Sequence, residues 1–144
     1  MEENNQDFSF VQTEHQVLDF WSQNDIFKKS LAKTKSGEPY IFYDGPPFAT
    51  GLPHHGHLVG SCLKDIVPRY FTMKGKYVDR RFGWDCHGLP VEHEIDKQLN
   101  MSAIDAVNEL GVKKYNDECR GIVQRFTNQW QKTITRIGRW VDFE

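Results

Sequence analysis

Pro39-Tyr40-Ile41-Phe42-Tyr43-Asp44-Gly45-Pro46-Pro47 runs into Phe48-Ala49-Thr50-Gly51-Leu52-Pro53-His54-His55-Gly56-His57, and this stretch decides the fold. Its opening is short, aromatic and apolar, the composition of a buried strand. Asp44-Gly45-Pro46-Pro47 ends that pattern abruptly. Gly51 and Pro53 then delay any regular helix until after Pro53. From about His55 to Lys74 a helical pattern follows, with Leu58, Cys62, Ile66 and Tyr70 nearly on one line. Gly75 suits its C-cap, and Pro68 is expected to kink or break it. Lys76-Tyr77-Val78-Asp79-Arg80-Arg81-Phe82 reads as a second strand. It ends in another breaker-rich loop, Gly83-Trp84-Asp85-Cys86-His87-Gly88-Leu89-Pro90. Strand, helix, strand in this order implies a right-handed parallel crossover and an open α/β sheet. Ligands of such sheets sit beyond the C-terminal ends of the strands, so both loops are expected to face one crevice.

Outward from that unit the chain reads as helices. Residues up to about Val11 are expected to be a mobile start. Thr13-Glu14-His15-Gln16 has capping-box spacing and opens a helix whose inward face is Val17, Leu18, Trp21, Ile26 and Phe27. That helix fades into the polar loop Lys33-Thr34-Lys35-Ser36-Gly37. Beyond the second loop, Val91 to Leu99 reads as a short helix. Ser102 with Asp105 signals the start of another that ends at Gly111. The last helix, about Lys113 to Gly138, carries Tyr115, Cys119, Ile122, Val123, Phe126, Trp130, Ile134 and Ile137 at three- and four-residue steps. Core packing explains that stripe better than a cofactor box.

Length and composition bound the answer. A chain of 144 residues is one domain or less, and its 10 Phe and 4 Trp supply enough apolar surface for a packed core. With 18 Lys and Arg against 20 Asp and Glu the net charge is −2, unlike a module devoted to gripping nucleic acid. Cys62, Cys86 and Cys119 are odd in number and widely spaced, which suggests neither a disulfide framework nor a zinc knuckle. The acidic, polar start lacks the basic and apolar regions of a signal peptide. No run approaches the roughly 18 apolar residues of a membrane span. A soluble, cytoplasmic protein is expected.

The two loops carry the chemistry. A helix opening at His55 offers free backbone N–H groups and a partial positive charge, both suited to phosphate. His54 and His57 would aim two imidazoles into the same mouth. Gly56 would let a flat ring lie against the backbone where a Cβ would clash. Metal binding by His54, His55 and His57 is the rival reading, but adjacent histidines at a helix start diverge and no Cys or carboxylate completes the set. In the second loop, Asp85 could fix an α-ammonium group, although an Asp near Gly is in isolation more often a turn cap.

His54-His55-Gly56-His57 resembles the HIGH motif of the class I aminoacyl-tRNA synthetases. Asp44 to Gly51 resembles the form of the preceding segment found in the isoleucine-specific branch, and Gly83 to Glu92 is similar to that branch's second loop. The resemblance covers essentially the whole chain. Phe48 and Thr50 stand where Tyr and Asn are common in bacterial relatives, which points to the eukaryote-like branch. The resemblance implies a fold that is the N-terminal half of a Rossmann-like parallel sheet with flanking helices. It implies residues 1–38 as an N-terminal helical extension and 39–144 as the first, incomplete part of the catalytic domain.

The roles it implies are specific. His54 and His57 contact ATP and stabilise its phosphates, and Gly56 packs against adenine. Asp85 binds the substrate amino group, Pro46 lines the side-chain pocket, and Gly45 lies against the substrate backbone. The implied reaction activates L-isoleucine with ATP to isoleucyl-adenylate and transfers it to tRNA(Ile). ATP would arrive with Mg²⁺. Zinc is a cofactor that the full-length protein could carry but that this fragment is not expected to bind. A monomer is expected. The second phosphate-binding loop of the class, KMSKS-like, is missing, so the fragment alone is expected to be nearly inactive. The alternatives are a valine- or leucine-specific relative, opposed by the Gly83 to Glu92 loop, and a nucleotide-binding module that has lost catalysis.

Overall fold

The computed structural model describes residues 8–48 and 50–143. Among these residues six helices follow in order: α1 Phe10–Gln23, α2 Ile26–Thr34, α3 His55–Met73, α4 Leu89–Leu99, α5 Ala103–Leu110 and α6 Val112–Arg136. The expectation of a mobile start falls partly on residues 1–7, outside the described residues. From Phe10 onward the chain is already helical.

The expected α/β fold does not form. Among the described residues no segment forms a strand, and the Rossmann-like parallel sheet is absent. Residues 39–48 and 76–86 run extended but meet only at isolated parallel bridges, Pro39 with Tyr77 and Phe48 with Asp85. Arg81 makes a third such bridge with Asp142. The register explains why no ladder forms. The first bridge joins residues 38 apart (77 − 39) and the second joins residues 37 apart (85 − 48). One segment therefore has a residue too many between the bridges, and regular parallel pairing is interrupted there. The segments part instead around a cavity of about 440 Å³ lined by Tyr40 to Asp44 on one side and Asp79 to Arg81 on the other. Pro46 and Pro47, which lack N–H groups, remove two further ladder donors.

The helices follow their local signals closely. The helix expected to start near Thr13 begins earlier, because Ser9 is the N-cap and accepts from the Gln12 N–H at 3.4 Å. It is also two helices, divided where Asp25 takes a left-handed conformation (φ 50°). Helix α3 runs through Pro68 without ending there. It closes with the Lys76 N–H on the Phe71 carbonyl and the Gly75 N–H on the Thr72 carbonyl, both at 3.0 Å. This is the Schellman arrangement, and Gly75 supplies the positive φ of 83° that it requires. Ser102 caps α5 by accepting from the Asp105 N–H at 3.2 Å.

Among the described residues two clusters make most of the core, with Val78 buried apart from them. Val91, Ile95, Ala106, Tyr115, Ile122 and Val123 join α4, α5 and α6. Trp130, Ile134 and Val141 form the second, with Phe82, Trp84 and Phe126 packed against it. The α6 stripe read from the sequence thus faces inward, and Phe126 and Trp84 touch both clusters. The line on α3 does not: Cys62 is exposed, and Ile66 and Tyr70 are 61% and 50% exposed. Its buried positions are Ser61 and Pro68. The N-terminal helices dock by aromatic contact, with Trp21 edge-on to Trp140 at 5.2 Å and Arg69 stacked over Trp140 at 4.1 Å. No helix among the described residues is long and apolar enough to cross a membrane.

Candidate active site

The two loops meet although no sheet brings them together. The Asp85 N–H donates to the Pro47 carbonyl at 2.9 Å, next to the bridge between Phe48 and Asp85. A Cβ added to Gly83 would lie 3.3 Å from the Pro46 Cβ, so the Gly83 backbone rests directly on the Pro46 ring. The space enclosed is a cavity of about 350 Å³ lined by Gly45, Pro46, Gly56, His57, Gly83 and Trp130, among others.

His57 is the best-defined group in it. It lies in the first turn of α3, where residues 55 and 56 leave N–H groups without intrahelical partners. Its Nδ1 accepts from the His54 N–H at 3.2 Å. That bond assigns the proton of the neutral ring to Nε2, which leaves a donor free. Partial burial, then the neighbouring His54 and Lys64, hold the His57 pKa below its ordinary value. The ring stacks on His54 at 3.7 Å and meets the edge of Trp130 at 4.8 Å. Trp130, almost fully buried, donates from Nε1 to the Gly51 carbonyl at 2.8 Å. One indole therefore ties the core of α6 both to the loop before α3 and to His57.

The other expected residues divide into two groups. Gly45, Pro46 and Gly56 line the cavity with His57. His54 is exposed and Asp85 is half-buried, and neither belongs to the cavity wall. A Cβ on Gly56 would come within 3.1 Å of the exposed His54 ring, a close contact that a small shift of that ring would relieve. Among the described residues no group of three or more His, Cys, Asp or Glu is placed to hold a metal ion. All three cysteines are free.

Sequence reasoning missed Lys64, Arg139 and the site role of Trp130, all of which reach this cavity. Lys64 was within reach: it follows His57 by two helical turns and so shares its face. The periodic stripe on α6 marks Trp130 only as core. Arg139 is 95 residues from the Asp44 it contacts, and no local pattern signals that.

A helix thus opens onto a loop, a second loop rests against it, and comparison with known proteins defines the class of the chain. The family described as tRNA synthetases class I (I, L, M and V) matches residues 16–144, and the chain belongs to that family. Among individual proteins, it is 58% identical over 138 residues to the cytoplasmic isoleucine–tRNA ligase of Arabidopsis thaliana, covering 96% of this chain and 12% of the relative. It is 57% identical over 135 residues to the isoleucine–tRNA ligase of Chlamydia pneumoniae, covering 94% and 13%. It is 53% identical over all 144 residues to the cytoplasmic isoleucine–tRNA ligase of Saccharomyces cerevisiae, 13% of that relative. The chain thus spans only 12–13% of the length of these relatives.

Proposed function

We propose that this chain is part of an isoleucine–tRNA ligase and carries one half of its active site, the half that receives ATP and the amino acid. The observation that supports this most is the 53–58% identity to proteins of that name across 94–100% of the chain. The hydrogen bond between the Pro47 and Asp85 loops supports the same reading, because it brings the two substrate loops into contact.

In this reading the carboxylate oxygen of L-isoleucine attacks the α-phosphorus of ATP. The α–β bridging bond breaks, and pyrophosphate leaves. A hydroxyl of the terminal ribose of tRNA(Ile) then attacks the carbonyl carbon of the adenylate, and AMP leaves. The first step depends on in-line placement and charge stabilisation. His57, neutral and with Nε2–H free, donates to the phosphates without the desolvation cost of a buried cation. His54 joins it, and the adenine lies against Gly56. Asp85 holds the ammonium group, Gly45 lies along the substrate backbone and Pro46 walls the side-chain pocket. ATP arrives as its Mg²⁺ complex.

Residues 39–144 belong to the first part of the catalytic domain, and α1 and α2 are an extension that meets it through Trp21 and Trp140. With a net charge of −2, this chain contributes little to the grip on tRNA. The enzyme works in the cytoplasm as a monomer, which sedimentation of the purified protein checks.

The test is ATP–pyrophosphate exchange by the full-length protein with isoleucine, valine or leucine. Isoleucine is expected to give the highest kcat/KM. Valine should come second, since one methylene in an apolar pocket discriminates only weakly, a general property of such pockets already known for this enzyme class. Exchange that prefers valine or leucine, or none at all, would refute the reading.

A further inference from the structure

The wall of the cavity formed by Gly45 and Pro46 has no secondary structure to hold it, and an ionic cluster from two other elements does so instead. Asp44, with its side chain 14% exposed, lies between two cations. Lys64 Nζ of α3 is 2.5 Å from its Oδ1. Arg139, which follows α6, reaches its Oδ2 through Nη2 and is only 6% exposed. The second arm of the Arg139 fork, Nη1, donates to Ser61 Oγ at 3.3 Å. Lys64 Nζ also donates to the Gly45 carbonyl at 2.8 Å. Ser61 and Lys64 stand one and two turns beyond His57 on the same face of α3. Asp44, Gly45, His57, Ser61, Lys64 and Arg139 all line the one cavity.

The consequence is geometric. Gly45 has the widest backbone freedom of any residue type, and Pro46 narrows that freedom without fixing a single conformation. Without a tether the Gly45 carbonyl would sample several orientations. Lys64 holds that carbonyl and the preceding carboxylate at once, and Arg139 locks the carboxylate from the other side. Two cations on one carboxylate leave a net charge of +1 in the cluster, so the loss of either still leaves Asp44 paired.

We propose that Lys64 and Arg139 are positioning residues that act through Asp44 to fix the Gly45–Pro46 wall at a set distance from His57. They thereby set affinity for the amino acid rather than for ATP. The proposal rests on the functional reading above, in which Gly45 and Pro46 meet isoleucine. Arg139 carries the larger share, because it is the more buried and its planar fork serves two partners that a lysine ammonium could not hold in the same geometry.

The experiment is steady-state exchange by the full-length enzyme and its Lys64→Met, Arg139→Lys and Asp44→Asn variants, with isoleucine and ATP each titrated. A misplaced wall is expected to raise the KM for isoleucine about tenfold in Lys64→Met and more in Arg139→Lys, with the KM for ATP changed less than about twofold. Equal rises in both constants, or a fall in kcat alone, would overturn the proposal. Lys64 is a third exposed, so Lys64→Met carries the test if an Arg139 variant does not fold. A wild-type enzyme with no isoleucine-dependent exchange refutes the functional reading and this proposal with it. An active wild type with variants of unchanged isoleucine KM refutes the proposal alone.

Discussion

Replacing Trp130 with Phe separates the core role of this side chain from its role in the cradle. Trp130 is 2% exposed, donates to the Gly51 carbonyl at 2.8 Å and meets the His57 ring edge-on at 4.8 Å. The phenyl ring keeps most of the packing against Phe82 and Trp84 but loses the Nε1–H. The lost hydrogen bond costs about 1 kcal/mol net. The shorter ring gives up roughly two carbons of buried surface, about 1–2 kcal/mol at ~0.8 kcal/mol for each. The expected loss is therefore about 2–3 kcal/mol. Urea unfolding followed by far-UV circular dichroism measures it without relying on tryptophan fluorescence. In the full-length enzyme the same change should raise the KM for ATP, because the segment from Gly51 to His57 loses its tie to α6. A loss of stability below about 0.5 kcal/mol, with the KM for ATP unmoved, would show that the bond to Gly51 neither stabilises the fold nor holds the cradle.

The remaining predictions test other contacts. Gly37→Ala should cost about 2–3 kcal/mol in urea unfolding, since its Cβ would lie 2.3 Å from the Gly75 carbonyl oxygen and neither backbone can move freely. Ser102→Ala should cost about 1 kcal/mol, the usual value of an N-cap, by the same assay; no change would mean that the bond to Asp105 is idle. The His57 ring should titrate below 6.5 by NMR, because burial disfavours its cation. Its unfolded form then binds the proton first, so its contribution to stability is present above pH 6.5 and declines as pH falls from 6.5 through the folded value. A midpoint at or above 6.5 would contradict the partial burial of the ring. In the full-length enzyme, Asp85→Ala should raise the KM for isoleucine roughly 10- to 100-fold, the worth of one charge-assisted hydrogen bond, and the KM for ATP far less. The Asp85 N–H is main chain and survives the substitution, so the junction with Pro47 stays intact.

Local signals were legible wherever neighbouring residues alone decide the outcome. Ser102 and Gly111 bound α5 as their types require, and Gly75 ends α3 with the conformation that only glycine adopts cheaply. The α6 stripe was readable because a helix repeats its own geometry, so a row of apolar residues must share a face. The same logic failed on α3. Cys62, Ile66 and Tyr70 fall in line, yet periodicity states only that residues share a face and not which neighbour covers it. Asp25 broke the first helix in two at a position where Asn24 and Asp25, both tolerant of turns, were the available signal.

The contiguous motifs at His54, Gly56 and His57 and the loop at Asp85 were legible in the sequence as candidates, since each carries its own turn chemistry, and the structure sets Gly56 and His57 on the cavity wall and His54 and Asp85 off it. The parallel sheet inferred to join them does not form. Apolar, β-prone residues favour an extended chain, but a ladder also needs matched register, and the step from 38 to 37 between the two bridges interrupts it. Only the tertiary structure decided that the loops meet through one hydrogen bond from Asp85 to Pro47. It alone brought Arg139 to Asp44 across 95 residues, because contact at that separation depends on the segment after α6 docking on α3, where Arg69 meets the Gly138 carbonyl and Asp65 the Trp140 N–H, and not on any local pattern.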